Sequence, residues 1–225
     1  MGYSIAIDGP AGAGKSTVAK MISKELNFIY VDTGAMYRAM ALYMIDNNID
    51  SADEEKINEA CKKVNIVIEY VNGEQQVILN GSNVTSLLRQ EKVGEMASKC
   101  STYYNVRIKL VELQRELAKK ADVVMDGRDI GTYVLPNADL KIYLTADPYV
   151  RAKRRADELV AKGEKCSIDE IAKTIIERDE RDKTREFAPL KKADDAVEVN
   201  TDKMNAEEVK ADIINKFKEK VKKWM

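Results

Sequence analysis

The segment Gly9-Pro10-Ala11-Gly12-Ala13-Gly14-Lys15-Ser16 satisfies the pattern G-x-x-x-x-G-K-[ST] in full. It follows a short apolar run, Ser4 to Asp8 (S-I-A-I-D), and leads into residues with Val18, Met21, Ile22 and Leu26 at helical spacing. Strand, glycine-rich turn and helix in that order give the pattern its meaning. The glycines let successive backbone N–H groups turn inward around phosphate oxygens, and the helix N-terminus adds its positive end. Lys15 then reaches the β- and γ-phosphates, and the Ser16 hydroxyl meets Mg²⁺. A chain that opens this way is constrained to a parallel α/β sheet with its ligand at the carboxyl ends of the strands.

The rest of the chain fits that constraint. Phe28 to Asp32 is a second strand, and Met36, Met40 and Met44, with Leu42 and Ile45, mark a helix whose methionines pack as core. Between about residues 61 and 90 the character changes. Asn65 to Tyr70 and Gln76 to Leu79 flank Asn72-Gly73, which predicts a β-hairpin, with Asn80-Gly81 ending the return strand. Helical patterns resume through Lys120, with Val106, Leu110, Leu113 and Leu117 on one face. Ala121 to Asp126, Leu140 to Thr145 and Ala196 to Asn200 complete the main sheet. Residues 148–192 show no strand pattern and mix 13 basic with 10 acidic side chains, the composition of a mobile helical segment. Asn205 with Glu208 predicts a final helix start, and Val209, Ile213, Phe217, Val221 and Trp224 would face the sheet. The expected architecture is one α/β domain over residues 1–225, with a five-stranded, mostly parallel sheet flanked by helices and a small antiparallel β insert. Four polar clusters follow strands: Gly9–Ser16, Asp32–Arg38, Asp126–Asp129 and the charged segment after Thr145. They should converge on one site.

Composition narrows the chemistry. Of 225 residues 44% are hydrophobic, enough for a sizeable core. Lys plus Arg number 37 against 38 Asp plus Glu, so the basic excess of a nucleic-acid coat is missing. There is no histidine, which excludes a histidine general base, Ser-His or Cys-His nucleophile pairs and His-ligated metals. Cys61, Cys100 and Cys166 are far apart, with no C-x-x-C motif, as expected of free thiols in a reducing cytosol. A strand pattern within four residues of Met1 leaves no room for a signal segment, and no apolar stretch is long enough to span a membrane. A cytoplasmic, monomeric protein is expected.

A phosphate-binding loop does not name a reaction. Neither D-x-x-G nor N-K-x-D occurs, so GTPase switch and guanine-reading motifs are missing. The second substrate is announced instead by arginines. Asp32-Thr33-Gly34-Ala35-Met36-Tyr37-Arg38 offers a hydroxyl, backbone amides and a guanidinium to an anion. Asp126-Gly127-Arg128-Asp129 follows the third strand of the main sheet, and Arg178, Arg181 and Arg185 lie at helical spacing in E-R-D-E-R-D-K-T-R. Alone, that last run is an ordinary salt-bridged helix; opposite a phosphate loop it can spread transition-state charge.

The combination G-P-A-G-A-G-K-S, D-T-G-A-M-Y-R, D-G-R-D-I-G-T and R-D-x-R-D-x-x-R-x-x-A-P-L resembles the bacterial cytidylate kinases, from Ile5 to the last helix. The Asn-Gly hairpin insert also looks like that family's enlarged monophosphate-binding region. The resemblance implies a P-loop kinase fold in which residues 148–192 form a helical lid. It implies transfer of the ATP γ-phosphoryl group to CMP or dCMP with Mg²⁺. Gly9 to Ser16 and Thr17 would bind ATP, with Ser16 on the Mg²⁺ side, directly or through water. Thr33, Arg38, Arg128, Arg178 and Arg185 match positions that hold the acceptor phosphate and the transfer zone, so that Lys15, Arg128, Arg178 and Arg185 would be catalytic. Ser98, Arg107 and Asp129 match positions around the cytosine ring, and Asp182 a contact to the acceptor sugar. Arg154 and Arg181 would belong to the lid over ATP. The loop ends in Ser16 where some relatives have glycine, which restores the usual metal-side hydroxyl. Two alternatives stay open at this level. One is a P-loop kinase for UMP or a hydroxyl metabolite, with Asp32 or Asp126 as base. The other is a nucleotide-binding regulator without catalysis.

Overall fold

The computed structural model describes residues 2–222. In chain order the elements are β1 (Ser4–Asp8), α1 (Lys15–Leu26), β2 (Ile29–Asp32), α2 (Thr33–Asp46), α3 (Glu54–Lys63), β3 (Ile66–Val71), β4 (Glu74–Leu79) and β5 (Ser82–Asn83). There follow α4 (Glu91–Cys100), α5 (Tyr104–Lys120), β6 (Val123–Gly127), a π-helical turn (Ile130–Val134), β7 (Leu140–Thr145), α6 (Pro148–Ala161), α7 (Ile168–Thr184), β8 (Val197–Asn200) and α8 (Ala206–Lys222).

The main sheet has the order β2-β6-β1-β7-β8, and every pairing in it is parallel. Strands β1, β2 and β6 alternate between two cores, and β7 and β8 pack on one of them. Ala6, Val31, Val123 and Met125 face the layer holding Met36, Met40, Met44 and Leu110, while Ile5, Ile7, Val124 and Leu140 face the layer of Ile22, Ile213 and Phe217. The period-2 alternation of a strand therefore seals helices onto both faces. The methionine stripe is core, as its spacing predicts. Trp224, expected on the inner face of α8, lies outside the described residues.

The insert is larger than a hairpin. Asn72 and Gly73 both adopt positive φ (53° and 78°), as a two-residue turn between β3 and β4 requires. Asn80 and Gly81 do the same (48° and 85°) and end the return strand β4, as expected; the turn they form leads into β5, which pairs antiparallel with β4. The result is a three-stranded sheet, β3-β4-β5. Within residues 148–192, α6 and α7 pack together on a small core of their own, Ala152, Ala172 and Ile175, separate from the two layers of the main sheet.

Candidate active site

The loop after β1 is shaped by close approach. A Cβ on Gly9, whose φ is 147°, would lie 2.0 Å from the Leu144 carbonyl oxygen of β7, so only glycine fits. Gly14, at φ 85°, caps α1 and delivers Lys15 to its first turn. Lys15 is buried, and its Nζ donates to the Pro10 carbonyl at 2.6 Å. Burial, then the neighbouring Arg128 charge, pulls its pKa well below the usual lysine value. Arg178 is depressed in the same way, to about 10, by burial and Arg128, and its buried Nε has no partner. Three cations crowded together and partly buried call for an anion among them.

The carboxylates nearby have other duties. Asp126 accepts from Ser16 Oγ and from the Tyr30 hydroxyl, both at 2.9 Å. Burial and Asp32, its register partner across β2 and β6, push Asp126 up to about 6. Asp32 caps α2 by accepting from the Ala35 N–H at 2.9 Å. Thr33 Oγ1 donates to the Asp126 carbonyl at 2.7 Å, which ties the start of α2 to β6. Arg38, one turn further along α2, lines the same cavity.

The far end of the cavity is built on ion pairs. Arg107, almost wholly buried, donates to Asp129 at 2.5 Å and to the Ser101 carbonyl at 3.1 Å. The other Asp129 oxygen accepts from Arg185 at 3.2 Å. Arg128 Nε pairs with Asp182 at 2.8 Å. Burial alone would raise Asp182, but Arg128, with Arg178 and Arg185 behind it, outweighs that and holds the carboxyl below its usual range.

One cavity thus brings together Lys15, Ser16, Thr33, Arg38, Ser98 and Arg107 with Arg128, Asp129, Arg178, Asp182 and Arg185. The four strand-end clusters converge as the topology requires. Arg154 sits elsewhere, beside a second cavity on the outer side of the glycine loop that Thr17, Met204, Asn205 and Val209 also border. It donates there to the Thr201 hydroxyl at 3.1 Å and the Thr201 carbonyl at 2.6 Å. Arg181 turns to the other end of the site and donates to Ser98 Oγ at 3.1 Å.

Three residues join the site without a sequence signal. Asp8 accepts from the N–H groups of Ile130 and Gly131, both at 2.7 Å, and so ties the strand before the glycine loop to the turn after Asp129. Arg151 on α6 donates to the carbonyls of Ala146 (2.9 Å) and Ala11 (2.7 Å) and pairs with Asp179 at 2.6 Å. Gln114, buried on α5 two turns beyond Arg107, lines the main cavity, and its amide nitrogen has no partner.

Comparison with known proteins points one way. A family model described as "Cytidylate kinase" matches residues 5–219. A protein of that name from Caldicellulosiruptor bescii is 48% identical over 219 residues, covering 97% of both chains. Another, from Bacillus subtilis, is 44% identical over 217 residues, 96% of this chain and 97% of that one. Among solved structures, an uncharacterized protein from Eubacterium ventriosum superposes with a TM-score of 0.53 at 14% identity, over 96% of this chain and 98% of its own, a likeness of fold.

Proposed function

The chain belongs to the cytidylate kinase family, and from that membership we propose how its site moves a phosphoryl group from ATP to CMP or dCMP, giving ADP and CDP or dCDP. The observation that carries the assignment of parts is the buried Arg107–Asp129–Arg185 cluster at one end of a cavity whose other end is Lys15 and Ser16.

Cytosine presents an amine donor and two acceptors on its pairing edge. Asp129, with Ser98 beside it, accepts from the amine, and the Arg107 guanidinium donates to the ring acceptors. Uracil carries an oxygen where cytosine has the amine, and that oxygen would face the Asp129 carboxylate. The mismatch leaves buried polar groups unpaired. Asp182, fixed by Arg128, meets the sugar. Arg38, Arg128, Arg178 and Arg185 hold the acceptor phosphate, and the Thr33 hydroxyl joins them by turning from the Asp126 carbonyl to which it otherwise donates.

That phosphate is already largely ionised near neutral pH, its second pKa being about 6, so no general base is needed. The barrier lies in bringing two polyanions together. Burial and the Arg128 charge disfavour the charged forms of Lys15 and Arg178; an arriving phosphate favours those forms, and the two cations spread the charge of the transferring group. The loop from Gly9 to Thr17 holds the donor phosphates through its backbone N–H groups, of which Pro10 has none, and Arg154 beside the second cavity serves the donor side. Arg181, by contrast, is placed to steady Ser98. A hydroxyl acceptor would need a free carboxylate base; Asp32 is committed to α2, and Asp126 to Ser16 and Tyr30.

Mg²⁺ fits the residues present. Ser16 Oγ and Asp126 Oδ2 form a hard-oxygen pair beside Lys15. Among the described residues no group of three or more His, Cys, Asp or Glu is arranged for a metal. A cation that keeps its waters and takes most of its ligands from phosphate suits such a site. Ser16 would hold it directly and Asp126 through water; when bound, the ion would offset the charge of the donor phosphates. Residues 148–192 act as the lid that excludes water from the γ-phosphate. Among the described residues no helix is long and apolar enough to cross a membrane.

The test is steady-state ADP release with Mg·ATP against CMP, dCMP, UMP, AMP, GMP and shikimate. Turnover on CMP and dCMP is expected, with Lys15→Ala reducing kcat by at least about 10²-fold. Asp129→Ala should lower kcat/KM for CMP and narrow its lead over UMP. Turnover on AMP or UMP in preference to CMP would overturn the base-site assignment. Binding of ATP without turnover on any acceptor would leave only a regulator.

A further inference from the structure

Each of the three charged residues at the acceptor-base end has an aromatic neighbour in the chain. Tyr104 precedes Arg107 on α5, Tyr133 follows Asp129 in the π-helical turn, and Phe187 follows Arg185 beyond α7. These three rings meet in space. Phe187 stands edge-to-face against Tyr104 with centroids 4.9 Å apart, and against Tyr133 at 4.8 Å. Interplanar angles of 76° and 77° are those that the aromatic quadrupole favours. The Arg107 guanidinium also faces Phe187, 5.8 Å from its centroid, and Tyr37, 5.6 Å from its own.

Two sides of this assembly are fixed and the third is not. Arg115 on α5 donates to the Tyr133 carbonyl at 2.7 Å and the Val134 carbonyl at 3.0 Å, and lies 5.3 Å over the Tyr133 ring. Tyr104 and Tyr133 therefore belong to one frame. Phe187 arrives from the lid side. Its segment folds back on itself: Arg185 Nε donates to the Ala188 carbonyl at 2.7 Å, and the Leu190 N–H to the Asp182 carbonyl at 2.8 Å. Ala188 takes a left-handed φ of 48° to allow this, a conformation that a non-glycine residue holds only when its surroundings demand it. The turn presents Arg185 to Asp129 and Phe187 to the two tyrosines at once.

We propose that Phe187 is a positioning residue for the acceptor base. Clasped between Tyr104 and Tyr133, it sets the end of α7 against α5 and the turn after β6, and so brings Arg107, Asp129 and Arg185 into the one cluster that distinguishes cytosine from uracil. Phe187 does not line the cavity; it acts through Arg107 and Arg185. The proposal rests on the reading of that cluster as the cytosine site, and its test separates the two.

Kinetics with CMP and with UMP are measured for the parent, Phe187→Ala, Phe187→Leu and Phe187→Tyr, beside their melting temperatures. Loss of two edge contacts and one cation–π contact should raise KM for CMP about tenfold in Phe187→Ala, with KM for ATP changed less than about twofold. The CMP-over-UMP ratio of kcat/KM should narrow, and Phe187→Tyr should restore both. If Phe187→Ala does not fold at assay temperature, Phe187→Leu, which keeps an apolar side chain without the ring edge, carries the comparison. Unchanged KM for CMP in a folded variant, or KM for ATP and CMP rising together, overturns the proposal. A parent that prefers another acceptor overturns the cytosine reading instead, and a KM rise for that acceptor alone would still support the clasp.

Discussion

The Asp8 carboxyl accepts two N–H groups at 2.7 Å, yet burial outweighs them and pushes its pKa up to about 7. Asp182 shows the opposite balance, because two hydrogen bonds to neutral amides weigh less than a guanidinium at 2.8 Å with more arginines behind it. The sign for stability follows. Between the unfolded value near 3.8 and the folded value near 7, the folded chain holds a proton on Asp8 that the unfolded chain has lost. Asp8 therefore makes the protein less stable as pH rises through that window and adds no further slope above it. Asp8→Asn lacks the titration but keeps one acceptor. Melting curves of parent and variant should converge or cross from pH 4 to 7, with the parent losing ground, and then run parallel. Parallel curves throughout would show that Asp8 titrates as it does in the unfolded chain.

At the level of elements, α8 begins with a reciprocal cap: the Asn205 N–H donates to Glu208 at 2.8 Å, and the Glu208 N–H to Asn205 Oδ1 at 3.0 Å. Asn205→Ala should cost about 1 kcal/mol, a fall in Tm of roughly 2–4 °C for a chain of this size, readable by calorimetry. This cap was legible because its signal is local, as were the Asn72-Gly73 turn and all five strands of the main sheet. What escaped was long-range or brief. β5 is two residues long, too short to show alternation, so nothing after Asn80-Gly81 signals a third strand. α3 carries few apolar residues, Ile57, Ala60 and Cys61 among charges, and left little helical period. Asp8 and Arg151 have partners more than a hundred residues away, which no spacing encodes. The arginines of α7 were visible as a helical run. Their division, with Arg178 and Arg185 into the cavity and Arg181 onto Ser98, depends on how α7 lies across the sheet. The roles of Ser98, Arg107 and Asp129 came from family resemblance, since helix and loop polarity alone ranks none of them.

For the whole molecule, residues 148–192, the proposed lid, have to stay attached yet be free to close. They carry their own small core, and Arg151 joins α6 to the glycine loop through the Ala11 carbonyl and to α7 through Asp179. Arg151→Met would leave Asp179 buried and unpaired, at a cost of about 3–5 kcal/mol. Asp179→Leu added to it should recover part of that loss in a urea titration, whereas additive losses would mean that the two side chains are not coupled. With this anchor at the base, the proposed closure would swing the distal end, the link from Lys162 to Ser167 and the adjoining turns of α6 and α7. That link is exposed and contributes no residue to either main core. Amides there should exchange freely in the ligand-free protein, slow a little with Mg·ATP alone, and slow most with both sites filled by Mg·ADP and CMP, a pair that cannot turn over forward. Exchange in β1 and β6 should barely change, since those strands are sealed on both faces. Equal protection of residues 148–192 in free and doubly liganded protein would mean that the segment is a fixed wall of the site, leaving water exclusion to the arginines already in the cavity.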